Sequence, residues 1–311
     1  MRTKFNPVAF AKARKKRTIL SALIIFLLIP FTVFVGIRFF DDQKYLIVSL
    51  FIVLYTMLPF FLVFEKRRPR AREIVVIAVM AALTICGNLL TYLFIPFQAG
   101  TALVIVAGVS FGPEAGFLVG ALARFVCNFF QGQGPWTPWQ MFCWGLLGFL
   151  AGLVFNKVNA EKANSRDFKV ILGPVVCVLI SVGLAFGIHL IWGQGSFLGW
   201  QLYIFGAVGL LAGVLIQRKR LPVDSLTLAL FGFLTVFIIY GGIMNTAAMI
   251  MSSAIPASNI SISWESLTLL YLSGVPYDAM HAAGTAFFLF IFGEQMVRKM
   301  ERVKVKYRLY L

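Results

Sequence analysis

Apolar residues run in long blocks along this chain, separated by short polar or basic stretches. A hydrocarbon core about 30 Å thick needs about 20 apolar residues, at about 1.5 Å of helix rise each. That length predicts membrane helices at 18–39, 45–64, 73–93, 100–112, 115–131, 139–156, 170–192, 198–217, 225–251 and 277–297. The fourth is short and runs into Phe111-Gly112-Pro113-Glu114, a tight turn closing a short or tilted span. The pattern describes an all-α polytopic membrane protein of about ten transmembrane helices.

Composition agrees. Hydrophobic residues fill 60% of the 311 positions and charged ones only 13%, against about 25% charged in soluble domains. The net charge of +16 would point to nucleic acid in a soluble protein. Here the basic residues sit between the apolar blocks, so the expected partner is the lipid bilayer and no nucleic acid is expected. Residues 1–17 hold seven Lys or Arg, 65–72 five, 157–169 four, 218–220 three and 298–308 six, which is 25 of the 28. With ten spans all five stretches fall on one side, while 94–99, 132–138, 193–197 and 252–276 hold none. Arg38, Lys44 and Arg124 are the exceptions. Basic loops are retained in the cytoplasm during insertion, so both termini are expected inside, in a multi-pass protein of the cytoplasmic membrane. The basic segments also meet anionic lipid favourably. The first apolar run is too long for a signal peptide, and Phe39-Phe40-Asp41-Asp42 replaces a small-residue cleavage site, so it is expected to stay. Residues 1–70 thus read as a basic N-terminus with a two-span extension, and 71–311 as the main membrane domain.

One internal repeat stands out. Gly132-Gln133-Gly134-Pro135-Trp136 and Trp139-Gln140 return 61 positions later as Gly193-Gln194-Gly195-Ser196-Phe197 and Trp200-Gln201. The register continues without a gap through Gly145/Gly206, Gly148/Gly209 and Leu150-Ala151-Gly152/Leu211-Ala212-Gly213, so 132–157 and 193–218 form a parallel repeat. Spans 5 and 6 read as a hairpin duplicated as spans 7 and 8.

Ionisable side chains in hydrocarbon cost about 2.5–3.5 kcal/mol or more, which makes those present candidates for function. Arg124, Asn128, Gln131 and Gln133 gather near the outer end of span 5; His189 lies near that of span 7. Asn245 and Thr246 lie in the outer half of span 9, and Asp278 and His281 share a face at the outer end of the last span. All fall in the outer half, where an uptake protein places a binding cavity. Arg124 either pairs with Asp278 to neutralise both or meets a ligand, and either histidine is expected to find a backbone carbonyl. Trp136, Trp139, Trp192, Trp200 and Trp264 sit at the outer boundary, where indoles anchor to headgroups. Trp139-Gln140 and Trp200-Gln201, recurring in both copies, are the exceptions. The candidate substrate-binding set is Arg124, Asn128, Gln131, Gln133, Trp136, Trp139, Gln140, Trp200, Gln201, Asn245, Tyr277, Asp278 and His281.

No catalytic residues are found: the chain has no phosphate-binding G-x-x-x-x-G-K-[ST], no H-E-x-x-H and no G-x-S-x-G. Two histidines and four cysteines inside apolar runs give no metal site, and no cofactor is expected.

Glu73-Ile74-Val75-Val76-Ile77-Ala78-Val79-Met80-Ala81-Ala82 contains Ala78-x-x-x-Ala82 in the first span after a basic loop. It resembles the Ala-x-x-x-Ala motif of substrate-binding (S) components of energy-coupling factor (ECF) vitamin transporters. Phe111-Gly112-Pro113-Glu114-Ala115-Gly116-Phe117-Leu118-Val119-Gly120-Ala121-Leu122 and Gly274-Val275-Pro276-Tyr277-Asp278 resemble the third and last helices of such components. The resemblance covers about residues 70–310. It implies a subunit that binds a vitamin from outside and docks through Ala78 and Ala82 on a transmembrane coupling subunit, with two ATPase subunits supplying energy. Gly-Pro-Trp-Thr-Pro-Trp-Gln at 134–140 is similar to cobalamin-type long forms, with riboflavin and other flat vitamins open. S components have six spans, whereas eight follow residue 70 here. Either 170–217 is an inserted hairpin and 73–157 with 225–297 the core, or 73–217 is the core and the last hairpin an extension. The alternative reading is a stand-alone secondary transporter of a small organic solute, driven by an ion gradient.

The topology has a direct test. In intact cells, Ser196→Cys is expected to react with a membrane-impermeant maleimide and Ser165→Cys only after permeabilisation; the reverse would invert the bundle.

Overall fold

From residue 71 onward the apolar blocks fold as helices whose ends lie mostly within a few residues of the hydropathic boundaries. The computed structural model describes residues 71–92, 99–155, 169–193, 196–216, 221–307 and 309, with Phe31 and positions scattered through 47–61. The chain divides into two units, Met1–Pro69 and Arg70–Leu311. In the first, the described positions are helical; the rest of the expected spans 18–39 and 45–64 lies outside the described residues. So do most of the basic stretches, Gln194 and Gly195 of the repeat, and the side chain of Trp192.

In the second unit the helices are α1 (Ala71–Thr91), α2 (Ala99–Phe111), α3 (Pro113–Gln131), α4 (Trp136–Val154), α5 (Lys169–Trp192), α6 (Trp200–Ile216), α7 (Ser225–Ser253) and α8 (Trp264–Lys306). Helix α2 is buried on nearly every side, as a helix apolar all round should be. Its 13 residues span about 20 Å, less than a bilayer core, and its neighbours enclose it. Turns at Gly112 and Gly132, with φ of 98° and 103°, begin and end α3 in backbone that L side chains avoid. Pro113 follows at the first helical position, where its missing N–H costs nothing.

One apolar cluster joins Ile105, Val109, Ala151, Phe155, Leu221, Leu228, Leu289 and Val297 at the end near Gly112. Another joins Ala81, Val104, Ala123, Cys143, Trp144, Val236, Tyr240 and Ala282 nearer the Gly132 end. Together they unite α1–α4 with α7 and α8, a six-helix bundle. Helix α5 packs chiefly on α6, and α6 meets α7 and α8, so this hairpin lies at the bundle's side.

Packing extends the repeat beyond what the loop signature showed. A methyl group on Gly152 would lie 2.6 Å from Pro113 Cα, and one on Gly213 would lie 2.6 Å from Pro174 Cα. The two contacts are related by the same 61-residue offset. Gly112-Pro113 therefore corresponds to Gly173-Pro174, and Phe125 to Phe186, so α3–α4 and α5–α6 are equivalent in full.

Helices α7 and α8 each contain a π-helical stretch, Thr235–Tyr240 and Leu289–Gly293. The last helix departs from expectation. It begins at Trp264, not 277, because Ser263 caps it by accepting from Ser266 N at 3.1 Å and Glu265 favours the first turn. Pro276 lies inside it, as buried helices tolerate when neighbours satisfy the freed carbonyl. Its 43 residues reach about 64 Å, twice a hydrocarbon core. At the Gly112 end, Lys304 Nζ donates to Ser110 O at 3.1 Å, and Glu294 accepts from Ser225 Oγ at 3.1 Å and pairs with Arg298 at 2.7 Å.

Gly148 packs against the Gly116 backbone, so a side chain there forces α3 and α4 apart. Gly148→Val is expected to cost about 3 kcal/mol, at the upper end of overpacking penalties. Gly187→Ala, on an open face, should leave the melting temperature unchanged or slightly higher. Thermal unfolding of both variants in detergent checks this.

Candidate functional site

Helix periodicity assembles the first part of the site. Arg124, Asn128 and Gln131 share one face of α3, and the turn after Gly132 returns Thr137 and Gln140 of α4 to them. Arg124 Nε donates to Gln140 Oε1 at 2.9 Å and Nη1 to Gln131 Oε1 at 2.8 Å. Its guanidinium carbon lies 5.3 Å from the centroid of Trp144, a cation–π contact. Arg124 is only 8% exposed. The described ion pairs, Arg298–Glu294 and Lys304–Glu301, do not involve it. Asn128 Nδ2 donates to Gln140 Oε1 at 2.9 Å and Thr137 Oγ1 at 3.1 Å. Thr137 in turn donates to Gln133 Oε1 at 2.8 Å, and Gln133 Nε2 to Phe125 O at 3.2 Å, so Gln133 ties down the turn.

These bonds fix which atom of each amide is which. Gln131 and Gln140 must present oxygen to the guanidinium, and Asn128 must present nitrogen to Gln140. Gln131 Nε2 and Asn128 Oδ1 are then left buried with no hydrogen-bond partner, as are Trp139 Nε1 and His281 Nδ1. Buried polar groups are nearly always paired, so these leftovers need an explanation.

A second group centres on Asp278 of α8. Its Oδ2 accepts from Tyr203 Oη at 2.6 Å and Asn245 Nδ2 at 2.7 Å. His281 Nε2 lies 3.0 Å from Thr101 Oγ1, with its ring edge-on to Tyr240 at 4.8 Å. Tyr277 is half exposed, 6.5 Å from His281. Thr246 lies 2.7 Å from the Tyr271 hydroxyl, which donates to Gly242 O at 2.6 Å.

Three expectations are corrected here. Arg124 and Asp278 are not paired; each keeps its own neutral partners. Neither histidine is satisfied by a carbonyl: His281 meets a hydroxyl, and His189 Nδ1 is buried unpartnered. Asp278 and His281 are not at a helix end, since α8 starts 14 residues before Asp278. The polar groups still share one half of the bundle, because α1 ends and α2 begins at the Gly132 end, beside Asn88 and Thr101. Among the tryptophans, Trp136 and Trp264 are exposed, Trp200 meets Trp264 at a tilt with centroids 5.1 Å apart, and Trp139 has its N–H buried. Among the described residues no cluster of His, Cys, Asp and Glu could hold a metal.

Residues 69–186 match the family model for the ECF-type riboflavin transporter S component. A UPF0397 protein of Aliivibrio fischeri (strain MJ11) is 32% identical over 143 residues, covering 43% of this chain and 72% of that protein. A UPF0397 protein of Vibrio atlanticus (strain LGP32) shows the same identity and coverage, and one of Lacticaseibacillus casei (strain BL23) is 33% identical over 72 residues, 23% of this chain and 38% of that protein. No solved structure matches the chain. The chain belongs to the ECF S component family. It is thus a transporter component in a membrane, not an enzyme.

Within this S component the duplicate hairpin shows which polar groups the packing does not require. At the 61-residue offset, Arg124 corresponds to Ala185, Asn128 to His189 and Gln131 to Trp192, while Gln140 is kept as Gln201. The second copy keeps the glycine contacts and lacks the guanidinium, so Trp200 and Gln201 are not gathered into an equivalent cluster. What the second copy contributes is Tyr203, the phenol on Asp278. Tyr203, Asn88, Thr101, Trp144 and Tyr240 escaped the sequence reading. The one available signal was Trp144, a tryptophan deep in a span where its counterparts lie at boundaries.

Removing the phenol from a buried carboxylate is expected to cost about 1.5–3 kcal/mol. Tyr203→Phe should therefore lower the melting temperature by several degrees, while Gln201→Ala leaves it within error.

Proposed function

We propose that this S component captures a vitamin-type solute from the extracellular side at the Arg124 cluster. It then docks on a transmembrane coupling subunit with two ATPase subunits and releases the solute inward. The supporting observation is that Gln131 Nε2 and Asn128 Oδ1, two groups in the hydrogen-bond cluster of a buried guanidinium, are buried and without a partner. The duplicate without Arg124 keeps one such atom, His189 Nδ1, at the position of Asn128. The basic stretches favour the opposite end as cytoplasmic, with both termini there. Arg124, Asn128, Gln131, Trp139 and Gln140 form the centre of the site, and Asn245, Tyr277, Asp278 and His281 its far wall. Gln133 and Trp136 shape the turn at its mouth; Trp200 and Gln201 lie outside it. Among vitamins the long form favours a corrinoid such as cobalamin, and the name of the matched model keeps riboflavin in view.

Ala78 and Ala82 support docking through α1. Both are exposed, with Val75, Val79 and Leu83, on the face opposite the buried Ile77, Met80, Ala81, Thr84 and Asn88. Small residues four apart admit a partner helix closely.

Two measurements test the proposal. Arg124→Ala and Trp139→Ala are expected to abolish retention of the solute that co-purifies with the chain. Ala78→Trp or Ala82→Trp should abolish uptake in cells while solute binding persists. Ion-driven uptake by liposomes holding this chain alone would favour a secondary transporter instead.

A further inference from the structure

The hydrogen-bond directions around Arg124 constrain the chemistry of its occupant. The guanidinium carries a full positive charge and five donors, and its described acceptors are two neutral amide oxygens and an indole face. Gln131 Nε2 belongs to the same amide that accepts from Arg124, so it lies within an amide's width of that bond. It is a donor, and it is unsatisfied. Trp139 Nε1, elsewhere on α4, is also a buried donor without a partner. Asp278, the buried carboxylate nearest in function, is committed to Tyr203 and Asn245. Asn128 Oδ1 is a spare acceptor in the same cluster, but a buried cation with a spare amide donor beside it and, among the described residues, no paired carboxylate calls for an anion.

We infer that the solute held here presents a compact anionic group, a carboxylate or a phosphate, to Arg124 and Gln131. This rests on the capture role proposed above and adds the charge class of the cargo. Charge-assisted bonds to a guanidinium are roughly twice as strong as neutral ones and often bidentate, so Arg124 sets selectivity between an acid and its uncharged analogue. The phosphate of a phospholipid could meet the same donors, and the experiment must separate that source from a soluble acid.

The full-length chain, reconstituted in nanodiscs, is incubated with the water-soluble small-molecule fraction of a bacterial extract, washed and denatured. Released species are sorted by solvent partition, retention on an anion exchanger at pH 7, and mass spectrometry. The expected result is a wild-type-enriched, water-soluble species that the exchanger retains. Arg124→Gln should hold about tenfold less of it and Arg124→Lys an intermediate amount, as expected when a charge-assisted contact is lost or weakened. An enriched species that is neutral or cationic overturns the inference and leaves capture standing, as does one held equally by Arg124→Gln. Enrichment of a phospholipid alone overturns it too. If nothing is enriched, the capture role itself fails, and the inference with it. The wild-type result decides the charge class even if a variant does not fold.

Discussion

A guanidinium buried among neutral acceptors governs the shape of this half of the bundle. Arg124 can be removed from water only if its N–H groups find oxygen, and the oxygens come from both sides of one turn, Gln131 at the end of α3 and Gln140 at the start of α4. The two helices must therefore lie at a fixed separation, and glycines set it. Gly116 and Gly120 face Gly148 and the Trp144–Gly145 backbone with no room for a side chain. Trp144 is held in turn by Gly100 of α2, where a methyl group would lie 2.6 Å from its ring. One charge thus links three helices, and the small residues that looked like generic membrane packing have specific partners.

Much of this was legible along the chain because membranes simplify the reading. Hydrocarbon admits helices and little else at this depth, so block length gave most element positions, and the alternation of basic loops kept their count in step. Arg124, Asn128 and Gln131 were legible as a group because a helix repeats every three to four residues. Asp278 was visible as a costly residue, but its partner was not. Tyr203 lies 75 residues away on the duplicated hairpin, and only tertiary packing brings them together. The start of α8 was misread because Gly274-Val275-Pro276 resembles a helix boundary, while the signal that decides, the Ser263 cap, precedes a stretch too polar to register as a span.

The two copies of the hairpin separate packing from chemistry within one sequence. Gly152 against Pro113 and Gly213 against Pro174 preserve the same crossing, so that geometry does not need a charge inside it. The copy with Ala185 at the arginine position satisfies its helices without buried amides. Its interior face instead supplies a phenol to the bundle, holding a carboxylate that α7 also holds through Asn245. The hairpin α5–α6 therefore meets the other helices through the Tyr203–Asp278 bond and through packing of α6 on α7 and α8.

Keeping Arg124 and Asp278 apart carries an energetic consequence. At contact, opposite charges attract by about 4 kcal/mol at an effective dielectric near 20, which would offset part of the cost of burying both. Here each is held by neutral groups, so neither desolvation cost is relieved by the other. A protein that needed only stability would close the pair or replace both residues with apolar ones of similar volume. On the capture role proposed above, an anionic occupant would supply the counter-charge that Arg124 lacks, and bound and empty states would then differ in stability.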